Sequence, residues 1–305
     1  MRRRRFFRTA GAAALGGLLA PRRLLGSPAE STHIVILHTN DTHSRIDPFP
    51  MDGGRFQGLG GVARRASLIR RIRNENEHVL LLDAGDIFQG TPYFNFFQGE
   101  IEFRAMSEMR YDAATLGNHD FDNGVEGLGK MLPHAEFQFV SANYDVSASP
   151  LAHRVKPWTV RELGGVRVGI FGLGIAFEGL VLEQLHQGVR HTDPFAAARR
   201  SVAELREQGC SLIVCLSHLG YRYRDPQPSD TLLAREVEGI DLVLGGHTHT
   251  FMSQPDVHGH PGGRETLVNQ AGWAGMRLGR VDVVMSGSHP AAWTWTRYPV
   301  DQTLD

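Results

Sequence analysis

Histidine, aspartate and asparagine side chains follow five short apolar segments of this 305-residue chain. They are Asp41, His43, Asp86, Asn118, His119, His218, His247 and His249. In open α/β sheets, ligands bind beyond the carboxyl ends of the strands, which is where these polar groups would lie. Imidazole and carboxylate groups together suit zinc, manganese or iron, and the absence of cysteine among them argues against a purely thiolate site. Six or more ligands exceed the need of one tetrahedral ion, so we expect two divalent ions about 3.5–4 Å apart with one carboxylate between them.

Two of the segments carry their candidate ligands two residues apart. Asp41 and His43 form one pair, and His247 and His249 form the other. In extended backbone both members of such a pair point to the same side. The stretch His258-Gly259-His260 has the same spacing but follows no apolar run and lies among prolines and glycines. It is therefore predicted to be a solvated loop.

Apolar runs alternate with amphipathic stretches from Thr32 onward, a pattern that predicts an α/β sandwich. The runs predict strands at residues 33–38, 78–82, 113–116, 137–141, 166–171, 212–216, 242–244, 266–268 and 278–284. The amphipathic stretches predict helices at residues 62–74, 100–109, 125–132 and 194–208. No Ser- or Pro-rich linker divides the chain, so residues 30–305 are predicted to form one domain. Cys210 and Cys215 have a spacing that does not favour a mutual disulfide.

The charge distribution separates the first 29 residues from the rest. They contain seven of the 32 basic residues and no acidic one, which leaves 25 basic against 33 acidic residues in the remainder. A domain with that acidic balance has no electrostatic footprint for nucleic acid. Its hydrophobic content of 41% and charged content of 21% exclude a disordered chain.

Residues 1–29 resemble a twin-arginine export signal. The segment from Arg3 to Arg8 is followed by a short apolar run over residues 9–20, too short to span a bilayer comfortably. Ser27-Pro28-Ala29 is an acceptable cleavage site, although Arg22 and Arg23 precede it. The alternative is a basic nuclear-localisation or nucleic-acid-binding arm. The export interpretation predicts a periplasmic or other extracytoplasmic protein that meets the membrane only through this signal.

The five polar blocks, in their order along the chain, resemble the signature of calcineurin-like metallophosphoesterases. The blocks are Asp41-Thr42-His43, Gly85-Asp86, Gly117-Asn118-His119-Asp120, His218 and Gly246-His247-Thr248-His249. The longer stretches around these blocks are similar to the branch of 5′-nucleotidases, UDP-sugar hydrolases and cyclic-nucleotide phosphodiesterases. These stretches are LHTNDTHS, GDIFQGTP, LGNHDFDNG, SANY and GGHTHT. The resemblance extends across the chain after residue 29. It implies a four-layer αββα sandwich, with two mixed sheets flanked by helices.

The resemblance also implies a role for each block. The ligands of one metal ion would be Asp41, His43 and His249. The ligands of the other would be Asn118, His218 and His247. Asp86 would bridge the two ions, and a metal-bound hydroxide would attack phosphorus in line. Asn118 and His119 would contact the substrate phosphate, and Asp122 would orient the catalytic imidazole of His119, as carboxylates commonly do.

The implied reaction is hydrolysis of a small phosphorylated substrate of the nucleotide type, with several alternatives open. The same ligands would serve a cyclic-nucleotide diester, a UDP-sugar or a sulfur ester. Nucleotidases of this branch carry a second, C-terminal specificity domain that these 305 residues do not include, so a separate protein would supply it or the substrate would need little base recognition. The remaining alternative is a silent metal-binding module, against which the pairing of His119 with Asp122 argues.

Two further sets of residues have two possible roles each. Asp83 and Asp120 would either support the ligands from behind or serve ordinary loop and cap functions. The aromatic cluster of Tyr93, Phe94, Phe96 and Phe97 is predicted to belong to the core, with substrate contact as the alternative.

Overall fold

The computed structural model describes residues 31–261 and 263–305 of the chain. Its strands are β1 (Ser31–Thr39), β2 (Val79–Asp83), β3 (Ala113–Ala114), β4 (Gln138–Val140), β5 (Tyr144–Asp145), β6 (Val155–Lys156), β7 (Trp158–Leu163), β8 (Val166–Leu173), β9 (Arg190–His191), β10 (Leu212–Ser217), β11 (Leu242–Gly245), β12 (Asp256–Gly259), β13 (Glu265–Asn269), β14 (Arg277–Ser286) and β15 (His289–Pro299). Its α-helices are α1 (Val62–Glu75), α2 (Pro92–Phe97), α3 (Glu100–Glu108), α4 (Gly124–Met131), α5 (Pro194–Glu207) and α6 (Asp230–Glu236). The predicted export signal lies outside the described residues.

Most of the strands belong to two mixed sheets. The first has the order β15-β14-β1-β2-β3-β4-β6, and its strands from β1 to β6 run parallel. The second has the order β12-β13-β11-β10-β8-β7, with β13, β11, β10 and β8 parallel. Strands β5 and β9 form a separate two-stranded sheet. The five ligand-bearing loops leave the carboxyl ends of β1, β2, β3, β10 and β11, which are central parallel strands of the two sheets.

Three apolar layers hold the fold together and define its four-layer architecture. Between the sheets, Ile34 and Ile36 of β1 pack in one cluster with Val214 of β10. The opposite face of β1 packs against helices α1, α3 and α4. Helices α5 and α6 cover the outer face of the second sheet. The order helix–sheet–sheet–helix confirms the predicted αββα sandwich, because both faces of each sheet need an apolar partner.

Local sequence signals explain where several elements begin. Helix α5 begins at Pro194, and the Asp193 side chain caps it by accepting hydrogen bonds from the amides of Phe195 (2.8 Å) and Ala196 (3.0 Å).

All nine predicted strands and all four predicted helices are present, with shifted bounds; β3, for example, ends at Ala114 instead of residue 116. Cys210 and Cys215 are both buried and free, as predicted.

The prediction of a solvated loop at His258 is wrong. Residues Asp256–Gly259 form edge strand β12, which pairs antiparallel with β13. The pleat turns His258 inward, so that it is only 8% exposed, while Val257 is 47% exposed. The stretch lacks an apolar run because its inward-facing position carries a histidine. In the described residues no helix has the length and apolar character needed to cross a membrane.

Candidate metal centre

The structure brings all the predicted ligand residues together where the five loops meet. One group of possible ligand atoms comes from Asp41, His43 and His249. A second group comes from Asp86, His218 and His247. The atoms within each group lie within 4.8 Å of one another. Asn118 joins the second group, since its Oδ1 lies 3.0 Å from Nδ1 of His247.

Asp86 lies between the two groups. Its Oδ2 atom is 3.1 Å from Nε2 of His218 in its own group and 4.0 Å from Nε2 of His43 in the other. Its Oδ1 atom accepts a hydrogen bond from the His119 amide at 2.8 Å. The carboxylate therefore faces a histidine of each group, which is the position that a shared ligand requires.

The ligand loops have an unusual backbone conformation. Five of the candidate ligands have positive φ angles: Asp41 (50°), His43 (48°), Asp86 (54°), His247 (68°) and His249 (52°). Residues other than glycine rarely adopt this left-handed region, and each instance costs free energy unless the surroundings fix it. Such strain concentrates at functional sites, because it aims side chains where an unstrained loop would not.

Hydrogen bonds between backbones fix the first two loops against each other. The amide of Asp41 donates to Gly85 O (2.9 Å), that of His43 to Asp86 O (3.1 Å) and that of Ser44 to Ile87 O (2.8 Å). The third loop also packs closely, because a Cβ atom on Gly117 would collide with the Asp86 carboxylate and the His218 ring. Only a glycine at this position allows the ligands of neighbouring loops to approach one another.

Backbone carbonyl groups set the orientation of two histidine rings. Nδ1 of His43 lies 3.1 Å from Phe88 O, and Nδ1 of His218 lies 2.7 Å from Ala84 O. A carbonyl oxygen can only accept, so Nδ1 carries the proton in both rings. The Nε2 atom of each ring is then directed into the cluster, which is the usual arrangement of a metal-binding imidazole.

The contacts among these atoms fit a pair of divalent cations. Nε2 of His218 is buried and faces Oδ2 of Asp86 at 3.1 Å. Nε2 of His43 lies 3.0 Å from Nε2 of His249, which in turn is 3.3 Å from Asp41 Oδ1. Nitrogen lone pairs and carboxylate oxygens that converge so closely are a donor set for zinc, manganese or iron.

The pKa shifts of the candidate histidine ligands differ in direction, and the contact with Asp86 accounts for the difference. Burial lowers the pKa of His43, and it lowers that of His247 to about 4, so both rings are neutral at neutral pH and able to bind a cation. Burial also acts against protonation of His218, but the neighbouring Asp86 carboxylate outweighs it and raises the pKa of His218 to about 10. A cation bound to Asp86 would compete with that proton.

His119 and Asp122 form a hydrogen-bonded pair beside the two groups. Nδ1 of His119 lies 2.9 Å from Asp122 Oδ2, and its side chain is 36% exposed. The ring packs edge-on against His43 with 5.3 Å between centroids. The hydrogen bond to Asp122 is the main cause that raises the pKa of His119, although burial opposes it. The pair therefore presents a half-exposed imidazole that favours its protonated form.

Comparison with known proteins identifies the family. Residues 34–251 match calcineurin-like phosphoesterases. The chain belongs to this family. The match covers all five loops that carry the candidate ligands.

Relatives of this calcineurin-like phosphoesterase include several nucleotidases. It is 38% identical over 280 residues to the snake venom 5′-nucleotidase of Crotalus adamanteus, an alignment that covers 85% of this chain and 46% of the relative. The 5′-nucleotidase precursor of Thermus thermophilus superposes with a TM-score of 0.81 at 34% identity, over 90% of this chain and 55% of that one. The NAD nucleotidase of Haemophilus influenzae gives 0.79 at 26% identity, over 88% and 56%. The chain thus spans about half the length of these relatives.

Asp120, for which the sequence left two roles open, supports the ligand loops of this phosphoesterase from behind. It is fully buried and accepts hydrogen bonds from four amides, those of Asp86 (3.1 Å), Ile87 (2.9 Å), Phe88 (3.1 Å) and Gly117 (2.8 Å). Burial and the Asp86 charge raise the pKa of Asp120 to about 7, against the effect of the amide donors.

Asp83 has a smaller part in the same loops. It accepts hydrogen bonds from the Thr39 hydroxyl (2.5 Å) and the Gly85 amide (2.9 Å). Burial raises the pKa of Asp83 to about 7. The first bond joins the ends of β1 and β2, and the second lies within the loop that follows β2.

Sequence reasoning missed two residues that contact the ligands. Asn40 donates hydrogen bonds to Asp41 Oδ2 and to Gly272 O, both at 2.6 Å. The Trp273 ring stacks on that of His249, with 5.5 Å between centroids and an interplanar angle of 7°. The position of Asn40 next to Asp41 was a possible signal, whereas nothing in the sequence around Trp273 places it beside a histidine 24 residues earlier.

The aromatic cluster is only partly in the core. Phe94 packs against the core, as predicted. Phe96 is 80% exposed and Phe97 is 47% exposed, so the core prediction is wrong for these two. Together with Tyr93 they line an open cavity of about 390 Å³. Helix α2 is only six residues long and has no fully buried residue, so Phe96 and Phe97 lie at the surface while Phe94 is half-buried.

Proposed function

We propose that this phosphoesterase is a dinuclear-metal hydrolase that acts on nucleotide-type phosphate monoesters. The observation that carries the proposal is the position of Asp86 between two groups of possible ligands, beside the pair of His119 and Asp122. Similarity to proteins named 5′-nucleotidase, at 38% identity for one sequence and 34% for one structure, supports the nucleotide class.

In this proposal the ligands of one cation are Asp41, His43 and His249. Those of the other are Asn118, His218 and His247. Asp86 is shared between them. When bound, two such cations polarise phosphoryl oxygens and lower the pKa of a coordinated water to near neutrality. Zinc, manganese and iron all accept this donor set, so availability decides among them.

The residues beside the cations would bind the phosphate and stabilise its negative charge. Asn118 and His119 would contact the phosphoryl oxygens, with the exposed Nε2 edge of His119 donating to the phosphate or to the leaving oxygen. Asp122 would hold the imidazole through Nδ1, which leaves Nε2 free for the substrate. The raised pKa of His119 favours the proton that this role needs.

The test is hydrolysis measured after metals are removed and restored. Mono- and bis-p-nitrophenyl phosphate, nucleoside monophosphates, cyclic nucleotides, UDP-glucose and a sulfur ester form the substrate panel. We expect metal-dependent turnover that is greatest on nucleoside monophosphates and is lost in His119→Ala and Asp86→Ala. A folded wild type that binds two metals but hydrolyses none of these esters would favour a silent metal-binding module. A wild type that binds no metal would refute the proposal.

We further propose export by the twin-arginine route, supported by the basic and apolar pattern of residues 1–29. Replacing Arg3, Arg4 and Arg5 with lysine is expected to keep the protein in the cytoplasm. Fractionation of cells that express both forms provides the measurement, and equal export of the two would refute the route.

We also propose that a second protein contributes to substrate recognition. The support is that the matched relatives are about twice as long as the region they share with this chain. Affinity purification from the native organism is expected to recover a partner that sharpens the preference among nucleotides. Purification of the chain alone, with full nucleotide selectivity, would refute this part.

A further inference from the structure

A small, partly open cavity lies directly behind the loop that carries His43. Its lining includes Ser44 and Arg45 of the loop, Arg65 of α1 and Glu102 of α3. The space that remains for the centre of a water-sized sphere is about 10 Å³. That is about the room one water molecule needs.

The cavity is lined by polar atoms that have no partner in the protein. Both carboxylate oxygens of Glu102 are buried without a hydrogen bond, as are Oγ of Ser44 and the Nε atoms of Arg45 and Arg65. Glu102 and Arg65 are each only 3% exposed, and Ser44 is 1% exposed. Five such atoms left unpaired would together cost as much as the whole net stability of an ordinary domain. They must therefore share a partner within the cavity.

The charges around the cavity indicate which partner fits. Two guanidinium groups disfavour a cation, and the Glu102 carboxylate disfavours an anion. In the described chain neither Glu102 oxygen is hydrogen-bonded to Arg45 or Arg65. A neutral molecule that donates to the two Glu102 oxygens and accepts from the two arginine Nε atoms makes four hydrogen bonds, and the volume limits it to water. The Ser44 hydroxyl is left to interact with Glu102 directly.

The loop in front of the cavity needs additional support. Asp41, His43 and Ser44 all have positive φ angles, an arrangement that persists only when neighbouring groups fix it. Backbone bonds to the second ligand loop hold its outer side. On its inner side the Ser44 hydroxyl faces the cavity beside Glu102, where burial raises the pKa of the carboxyl and this hydroxyl lowers it.

We propose that the cavity binds one ordered water molecule, which links Glu102 of α3 to Arg45 and Arg65, and that Glu102, held in this way beside Ser44, is a positioning residue for the candidate ligand His43. Glu102 contacts no ligand itself and acts through the water and the loop. The inference rests on the proposed metal site, because the property that it controls is how His43 meets a cation.

The test compares Glu102→Leu, which removes the polar partner, with Glu102→Gln, which keeps the shape and the hydrogen-bonding capacity. Glu108→Leu on the exposed face of α3 is the matched control. The affinity for Mn²⁺ is measured by calorimetry on protein shown by circular dichroism to be folded. We expect roughly tenfold weaker binding for Glu102→Leu, in line with the loss of other groups that orient ligands, and little change for Glu102→Gln or Glu108→Leu.

Ser44→Ala tests the other end of the link and keeps the inference testable if Glu102→Leu does not fold. We expect it to weaken Mn²⁺ binding about tenfold, which is the lower end of the range for groups that orient ligands. A high-resolution crystal structure should show one water molecule within hydrogen-bond distance of Glu102. Wild-type affinity in both Glu102→Leu and Ser44→Ala, or an empty cavity, would overturn the inference. Absence of Mn²⁺ binding by the wild type would instead overturn the proposed function.

Discussion

Replacement of Asp120 by asparagine tests how the ligand loops are held. The carboxylate accepts four hydrogen bonds, two on each oxygen: Oδ1 from the amides of Ile87 and Phe88, and Oδ2 from those of Asp86 and Gly117. An asparagine has one carbonyl oxygen, so it can keep one pair of these bonds and must present its NH₂ group to the other pair.

The expected loss follows from those two broken bonds. A buried amide left without an acceptor costs about 1–3 kcal/mol, which gives about 2–6 kcal/mol for two. Water that enters a loosened loop offsets part of this, so we expect the free energy of unfolding to fall by about 3 kcal/mol. Because either lost pair includes an amide of the loop that carries Asp86, we also expect metal affinity to fall by about 10- to 100-fold.

Urea unfolding measures the stability, with chelator present so that lost metal binding does not contribute. Measurement at pH 8, above the pKa of Asp120 at about 7, keeps its carboxylate ionised. Asp112→Asn is the matched control, since Asp112 accepts one backbone hydrogen bond, from Leu81 at 2.8 Å, and lies away from the ligand loops. A loss of under about 1 kcal/mol in Asp120→Asn, or metal affinity equal to that of Asp112→Asn, would refute the reasoning.

Four further outcomes are expected. Burial lowers the pKa of His38 to about 4, so below pH 6.5 the unfolded chain takes up a proton that the folded protein does not. The free energy of unfolding should therefore fall as the pH drops, by about 3 kcal/mol near pH 4. Urea unfolding of His38→Gln should show a pH dependence that lacks this contribution. Gly117→Ala places a methyl group against Asp86 and should reduce kcat at least about 100-fold, whereas Gly259→Ala, which meets open space, should not change it. Trp273→Ala removes the ring stacked on a candidate ligand and should weaken Mn²⁺ binding about fivefold, with Trp273→Phe close to wild type in calorimetry. Chelation should lower the melting temperature, because metal at about 100 times its Kd adds about 2.7 kcal/mol per site, and an unchanged melting curve would contradict the metal centre.

The sequence predicted the central elements of the fold well because their residues are buried on a regular period. Strand β1 alternates between two cores, with Ile34 and Ile36 on one face and Val35 and Leu37 on the other. Edge and surface elements lacked that signal. Strand β15 is largely exposed, and β12 carries a buried histidine where an apolar residue would have marked it.

The chemical character of the site was also readable from the sequence, because each ligand-bearing loop keeps its polar residues together beyond an apolar strand. Residue type and order were enough to select the candidate ligands Asp41, His43, Asp86, His247 and His249, which the structure places in two groups. Sequence spacing carries no distance between loops, however. It could not show that His43 and His249, which are 206 residues apart, have ring nitrogens 3.0 Å from each other.

What the sequence determined by itself is therefore the set of reactive groups and the α/β frame, since both depend on local patterns. The tertiary structure alone decided how those groups are held. Asp120 binds three amides of the loop that carries Asp86, Trp273 stacks on His249, and Glu102 faces a cavity behind His43. These contacts join residues from separate elements, and their existence depends on how two sheets and their helices pack, which no local pattern records.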